Sequence, residues 1–451
     1  MSIIDHAESG GGNGGDVTNR RSDAAAAQPL AQRMPLIMAF PDALGTGLVI
    51  NCSPATVKSA ESTTAAAATA ATKPTAPSIP TATTTTAAAA TKPPAPLRAA
   101  IAELISEYER TLSRFRADSL VAAMGRAEHG GRFAFPEWAR GLFDLVDLLN
   151  AATGGAIDPC VGEDLTRLGY GADMSFTVEM GAAARLGSIH GRPTWRGDVR
   201  REGTTLVTSR AVHLDFGACG KGYLVDLIGR MLLGGATHAG ETRAGTTRAG
   251  TMPQHHAEYA AYADECCTCA EFVIDAGGDL LIRSHTPVAI ALEDPADTSR
   301  AIGVVRVRSG ALCASAPSRR HWRDAAGHEL HHLLNAIDGM PVRDIAASWA
   351  FVPADWGRGG VAQHADRIGG MRRLADAPIA TALAAAYPTA FADGVATALF
   401  VMNPGALAAG IGSYAGMPHT QPDTAAFDCL TLDGMRRAMM SAGFPAELYT
   451  R

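Results

Sequence analysis

A glycine-rich turn followed by apolar residues at helical spacing is the most informative segment of this sequence. It lies in residues 213–233, HLDFGACGKGYLVDLIGRMLL. The apolar residues after the glycines recur at helical spacing and are Leu224, Leu227, Ile228, Met231 and Leu232. This spacing predicts an amphipathic helix. The N–H groups and the dipole at its start favour an anion, above all a phosphate.

Two charged residues flank this predicted anion site. Lys221 adds a positive charge, and Asp215 is placed to contact a ribose, an amine or a metal. The segment is neither a P-loop nor a G-x-G-x-x-G motif. An ordinary strand–turn–helix with solvated charges is therefore the alternative interpretation.

The charge balance and the hydropathy pattern exclude two classes of partner. The net charge is −6 and no Lys/Arg-rich run occurs, so nonspecific nucleic-acid binding has no electrostatic basis. No uninterrupted apolar run reaches the roughly 18 residues of a membrane span. The first residues, MSIIDHAESGGGNGG, lack the basic and apolar regions of a secretory signal, so we expect a cytoplasmic protein.

The cysteine cluster at Cys266, Cys267 and Cys269 lacks a second C-x-x-C, which favours reduced thiols over a zinc site.

Composition divides the chain into a core and four poorly patterned segments. Residues 1–34 are predicted to be a disordered tail, and residues 35–451 a single domain. Low-complexity insertions are predicted at 53–97, 236–269 and 354–388. The remaining segments alternate short apolar strands and tight turns with about four helices. Because hairpin turns outnumber regular βαβ units, we expect an α+β fold with mixed or antiparallel sheets flanked by helices.

Asp393 and Thr397 form a possible metal site near the end of the chain. They are spaced i, i+4 in a predicted helix over residues 391–402, so they share one face. A carboxylate and a hydroxyl are oxygen ligands, which suit Mg²⁺. A capping aspartate and a core threonine are the alternative interpretation.

Residues 328–332 match H-E-x-x-H, the zinc-protease helix motif. His328 and His332 would bind zinc with Asn335 or Asp338 nearby, and Glu329 would be the base. Gly327 and the D-G-M-P that starts at Asp338 leave room for about three helical turns at most. A zinc protease is therefore a remote alternative.

Seven segments in chain order resemble the FAD:protein FMN transferase family, called ApbE. The segments are L-G-T at 44–46, S-R-F-x-x-x-S at 113–119, G-A-I-D-P at 155–159, D-F-G-A-C-G-K-G-Y-x-x-D at 215–226, G-G-D at 277–279, H-H-L-L-N-A-I-D-G-M-P at 331–341 and A-D-G-V-A-T-A-L-F at 392–400. The resemblance runs from about residue 36 to 405, apart from the insertions. It implies the ApbE fold, with H-E-x-x-H as a coincidence inside the histidine motif.

The resemblance also implies a reaction and a set of site residues. FMN would pass from FAD to a Ser/Thr hydroxyl of a target protein, with Mg²⁺ bound and AMP released. The metal would be held by Asp393, Thr397 and the carbonyl of Ala218, and His332 would be the base. The residues implied to contact FAD are Leu44, Phe115, Ala156, Ile157, Asp158, Asp215, Lys221 and Leu334.

Three positions depart from the family pattern. Asn335 replaces an aspartate of the family pattern, Leu44 replaces a methionine, and A-S-A at 314–316 replaces T-S-G. Replacing Asp by Asn removes a charge beside the expected base. An FAD-binding protein or a slow FAD hydrolase with impaired transfer is therefore the second hypothesis.

Overall fold

The computed structural model describes residues 1–3, 29–54, 95–234, 269–354, 379–414 and 426–449. The helices in these ranges are α1 (Leu30–Arg33), α2 (Ala95–Leu112), α3 (Leu120–Arg126), α4 (Arg140–Ala152), α5 (Gly162–Arg167), α6 (Trp195–Asp198), α7 (Gly220–Leu232), α8 (Ile379–Ala386), α9 (Pro388–Ala398) and α10 (Pro404–Tyr414). The strands are β1 (Ser2–Ile3), β2 (Leu36–Phe40), β3 (Leu48–Pro54), β4 (Gly131–Ala134), β5 (Val199–Glu202), β6 (Thr205–Thr208), β7 (Cys269–Asp275), β8 (Asp279–Asp294), β9 (Asp297–Ser315), β10 (His321–Arg323), β11 (Glu329–His331), β12 (Leu334–Asn335), β13 (Met340–Pro341), β14 (Ile345–Val352), β15 (Asp428–Asp433), β16 (Ala438–Met440) and β17 (Ala446–Leu448).

A ten-stranded antiparallel sheet forms the centre of the described structure. Its main path is β16-β15-β14-β9-β8-β7-β3-β2, while β1 pairs with β8 and β17 with β9. The long β8–β9 hairpin shifts register between Arg283 and Val288. At the end of the hairpin away from its turn, β8 pairs with β7 and β9 pairs with β14. Nearer the turn, β8 pairs with β1 and β9 pairs with β17. The small sheets are β4-β6-β5, β10-β11 and β12-β13.

Both faces of the central sheet are buried because its strands carry apolar residues at consecutive positions. On β7, Phe272 and Ile274 join the large cluster beneath the helices, and Val273 between them joins a second cluster on the opposite face. Helix α7 buries Tyr223 and Leu224 in the first cluster. A layer of helices over an antiparallel sheet confirms the predicted α+β class.

The local patterns that indicated hairpins and helices are confirmed. The strands β7 and β8 are joined by the Gly277–Gly278 turn, where both glycines adopt positive φ. The amphipathic stripe after residue 220 is helix α7, and the segment with Asp393 is helix α9. The helices in the described ranges are all too short or too polar to cross a membrane.

The boundaries of the low-complexity segments differ from the prediction. Within 1–34, Ser2–Ile3 pairs with β8, and Leu30–Arg33 is a helix that buries Leu30. Helix α2 begins at Ala95, β7 begins at Cys269, and α8 with the first residue of α9 occupies the end of the segment 354–388. Apolar residues near each junction, such as Leu97 and Leu383, anchor these ends in the core. The rest of these segments, including Cys266 and Cys267, lies outside the described residues.

Candidate functional site

One cavity of about 840 Å³ lies between the central sheet, α7, α9 and the segment around the histidines. This volume falls within the range of small-molecule sites, roughly 300–1,000 Å³. The predicted site residues that line it are Leu44, Phe115, Ala156, Ile157, Asp158, Asp215, Ala218, Lys221, His332, Leu334, Asp393 and Thr397. The structure thus brings the whole predicted set to one cavity, while the role of each residue stays a prediction.

The loop before α7 is fixed by Asp215. Its carboxylate accepts hydrogen bonds from Gly217 N at 2.6 Å and from Arg114 Nε at 2.5 Å. Burial alone would raise the pKa of Asp215, but the Arg114 charge and the Gly217 N–H lower it below its ordinary value. Asp215 is therefore an anion that holds the turn in place.

Helix α7 starts at Gly220 without a side-chain cap from its N-cap residue. Gly220 N donates to the Phe216 carbonyl at 2.7 Å, and Gly222 N donates to Asp393 at 3.2 Å. Within the described residues, the N–H of Lys221 is therefore the one left at the helix start for an anion.

An aromatic wall next to this loop was not predicted from the sequence. Tyr170 contacts Phe115 edge-on with ring centroids 5.4 Å apart, and it stacks on Phe176 at 6.2 Å. Arg114 lies over Phe115 and Tyr170, with its guanidinium carbon 4.1 and 4.8 Å from the two ring centroids. Phe176 is 42% exposed, lines the cavity and has a φ of 51°. Phe176 is the exposed member of this wall, because Tyr170 is buried and Arg114 covers Phe115 and Tyr170.

A buried charge cluster adjoins the cavity, which two of its members, Lys221 and Asp393, line. Lys221 Nζ lies 2.6 Å from an oxygen of Asp279 and 3.3 Å from both oxygens of Asp393. Burial and the neighbouring Asp279 charge raise the pKa of Asp393 to about 7, against the opposing effect of Lys221. Asp279 belongs to the G-G-D turn, but its contact with Lys221 was not predicted.

The packing of α7 on α9 sets the position of Lys221 and Asp393. Gly222 is required at the contact, because a Cβ there would lie 2.5 Å from the carbonyl oxygen of Thr389. Asp226 accepts hydrogen bonds from Thr389 N at 3.0 Å and Ala390 N at 2.9 Å, which caps the first turn of α9. Burial raises the pKa of Asp226 to about 7. The last aspartate of the 215–226 motif therefore has a structural role.

The oxygen atoms around Thr397 lie close together. Its hydroxyl is 3.3 Å from the carbonyl oxygen of Ala218 and 3.3 Å from Ser315 Oγ. Asp393 precedes Thr397 by one helical turn on α9. Carboxylate, hydroxyl and carbonyl oxygens are the ligand types of hard cations.

The two adjacent histidines have different surroundings. His331 Nε2 bonds the Val342 carbonyl oxygen at 2.9 Å, and its Nδ1 accepts from Leu333 N at 3.2 Å. Both ring nitrogens of His331 are thus used within the fold. His332 lines the cavity and donates Nδ1–H to the Arg320 carbonyl at 3.3 Å, a tautomer that leaves the Nε2 lone pair for proton transfer. Burial, reinforced by the Arg320 charge, lowers the pKa of His332 to about 4, so its ring is neutral at pH 7.

Comparison with known families shows which family this chain belongs to. The sequence model of the ApbE family matches residues 80–246 and 257–355, more than half of the 451 residues. The chain belongs to the ApbE family. A search of curated proteins found no match.

Solved ApbE structures share the fold at low sequence identity. The ApbE protein of Thermotoga maritima is 16% identical, with a TM-score of 0.57 over 91% of this chain and 100% of that chain. The apo flavinyl transferase ApbE of Pseudomonas stutzeri is 16% identical, with a TM-score of 0.53 over 90% and 96%. The flavin transferase ApbE of Vibrio cholerae is 14% identical, with a TM-score of 0.52 over 90% and 97%. Family membership and this shared fold support a transferase enzyme.

The three departures from the ApbE pattern lie in different surroundings. Asn335 does not line the cavity, and its Oδ1 accepts from Ile337 N at 3.0 Å, a turn bond that an aspartate would also make. Ala316 has φ −154°, an extended conformation that needs no glycine. Leu44 lines the cavity with φ 55°, and its N–H donates to Glu109 at 2.9 Å.

The zinc-protease alternative for residues 328–332 is wrong. Glu329–His331 is strand β11 paired with β10, so no helix brings His328 and His332 together on one face. His328 is exposed and bonds Asp324 Oδ2 at 2.9 Å. Over the described ranges, no cluster of three or more His, Cys, Asp or Glu side chains is arranged to hold a metal ion.

Proposed function

We propose that this ApbE-family protein transfers FMN from FAD to a serine or threonine hydroxyl of an acceptor protein, and that it requires Mg²⁺. The observation that carries the proposal is the single cavity. It combines an anion-binding helix start with Lys221, a set of oxygen ligands, and a histidine whose ring has a lone pair available.

The described oxygens fit a magnesium ion. Asp393 and Thr397 are one turn apart on α9, and the Ala218 carbonyl lies 3.3 Å from the Thr397 hydroxyl. These three would hold Mg²⁺, with water completing the shell as this ion prefers. When bound, the ion would neutralise diphosphate charge and stabilise the charge that develops during phosphoryl transfer.

The residues near the start of α7 would bind FAD. The backbone N–H and the ammonium of Lys221 would face the diphosphate. Asp215, Leu44, the turn at residues 156–158 and the pair Phe115 and Leu334 would contact the rest of the molecule. Their common position on the cavity supports this assignment.

His332 would act as the general base. Its Nε2 would take the proton of the acceptor hydroxyl while that oxygen bonds to the FMN phosphorus. The bond from this phosphorus to the bridging oxygen breaks, and AMP leaves with the electron pair. A positioned base contributes about 10²–10⁴-fold to such a reaction. The Arg320 carbonyl supports this role by keeping the proton on Nδ1.

The test incubates the purified full chain with FAD, Mg²⁺ and matched peptides that carry Ser, Thr or Ala at one position. AMP release and covalent flavin fluorescence should appear with the Ser or Thr peptide only. Asp393→Ala should abolish Mg²⁺-dependent transfer while the circular dichroism spectrum is retained. Glu329→Ala is the control, because Glu329 is exposed on β11 and would be essential only in a protease.

Two outcomes would contradict the proposal. Unchanged transfer by Asp393→Ala would remove the metal assignment. Release of free FMN and AMP, with no flavin on any peptide, would favour the FAD hydrolase alternative.

A further inference from the structure

Asp279 is a buried carboxylate with a single charged partner among the described residues. It begins β8 directly after the Gly277–Gly278 turn and is 1% exposed. Its two carboxylate oxygens have no donor within the described ranges other than Lys221. One of them forms an ion pair with Lys221 Nζ at 2.6 Å. A buried carboxylate is unfavourable unless it is paired, so the contact with Lys221 is what keeps this charge in the fold.

Lys221 is shared between Asp279 and Asp393. The ammonium is closer to Asp279, at 2.6 Å, than to Asp393, at 3.3 Å from each oxygen. The Gly222 N–H also donates to Asp393, at 3.2 Å. The ammonium of Lys221 therefore contacts two buried carboxylates. With both carboxylates ionised, the cluster of two carboxylates and one ammonium carries one net negative charge.

We infer that Asp279 is a positioning residue that retains Lys221 beside the diphosphate site and thereby frees Asp393 for a divalent cation. The inference rests on the proposed function, in which Asp393 holds Mg²⁺. An ammonium whose only partner is Asp393 would compete with the metal for that carboxylate and repel it. Asp279 holds the ammonium at the shorter distance, 2.6 Å against 3.3 Å, and supplies the negative charge that both cations require.

The first variant is Asp279→Asn, which keeps the shape of the side chain and removes its charge. Lys221 would then pair with Asp393 alone, and the net charge of the cluster would rise from −1 to 0. We expect the dissociation constant for Mn²⁺, measured by isothermal titration without FAD, to increase about 10–100-fold, the usual effect of an outer-shell partner. Asp275→Asn is the matched control: it removes a charge from the same turn, and asparagine can still accept the Gly277 N–H bond. Its Mn²⁺ affinity should stay within about three-fold of the wild type.

The second variant, K221M/D279N, tests whether Asp279 acts through Lys221. It removes the competing ammonium together with its partner and leaves Asp393 with the original net charge of −1. We expect Mn²⁺ affinity to return to within a few-fold of the wild type. A double variant as weak as Asp279→Asn would show that Asp279 binds the metal directly, which would overturn the positioning role. This non-additivity is the signature of coupling between neighbouring residues.

The double variant also decides the question if Asp279→Asn does not fold. Replacing a whole buried ion pair by neutral side chains is often tolerated, whereas removing one partner is not. In that case, wild-type Mn²⁺ affinity in K221M/D279N supports the inference, and a tenfold or larger loss overturns it. Failure of the proposed function gives a different result, because the wild type itself would then neither bind Mn²⁺ nor release AMP from FAD. If the wild type is active and Asp279→Asn binds Mn²⁺ as tightly as the wild type, the inference is refuted while the proposed function stands.

Discussion

Replacing Asp226 by alanine tests how α7 and α9 are held together beneath the site. The carboxylate accepts the N–H groups of Thr389 and Ala390, and both of these residues are fully buried. Leaving a buried N–H without a partner costs about 1–3 kcal/mol, so two of them give about 2–6 kcal/mol. Asp226→Asn keeps one acceptor oxygen and should lose about half as much. Urea unfolding would show a lower midpoint for both variants at unchanged m-value.

The pH dependence of the stability difference between the wild type and Asp226→Asn gives a second measurement. Burial raises the pKa of Asp226 to about 7, above the value of about 3.9 expected for an unfolded chain. The native state therefore binds a proton that the unfolded state has lost, and the stability contributed by this group falls as pH rises from about 4 through 7. The advantage of the wild type over Asp226→Asn should be larger at pH 5 than at pH 8. An alanine variant within about 1 kcal/mol of the wild type, or more stable than the asparagine variant, would refute this account of the interface.

Three further predictions concern catalysis. His332→Ala should lower single-turnover transfer about 10²–10⁴-fold with FAD binding retained, and His331→Ala should stay within a few-fold of the wild type. The reverse ranking would show that His331, and not His332, is the base. Because the pKa of His332 is lowered to about 4, kcat/KM at saturating Mg²⁺ should show no loss from this group between pH 8 and 5 and should fall as pH drops through about 4; a loss centred near 6.5 would mean that the base is not buried. Asn335→Asp should change the rate less than about three-fold, since its side chain makes a turn bond outside the cavity lining, and a large gain would show that the natural protein is impaired.

Local sequence patterns were sufficient for several elements of the fold. Apolar residues at helical spacing predicted α7, and the paired apolar runs around Gly277–Gly278 predicted the β7–β8 hairpin. These elements depend on neighbours along the chain, so their patterns can be recognised without tertiary contacts. Local patterns also indicated Asp215, Lys221, Asp393 and Thr397 as site residues. Their grouping with the other cavity-lining residues came from resemblance to the ApbE family, because the members are distant in sequence.

Other features were decided only by tertiary structure. Lys221 and Asp393 are separated by 172 positions, and nothing near either residue indicates that Asp279 completes the cluster. Arg114 reaches Asp215 across 101 positions in the same way.

The histidine segment shows the physical reason most clearly. Residues 328–332 carry a helical metal motif, yet pairing with β10 makes Glu329–His331 a strand. Strand pairing and burial at that position outweigh the local preference. They also direct His331 to the Val342 carbonyl and leave His332 on the cavity, a distinction that two identical adjacent residues could not reveal by themselves.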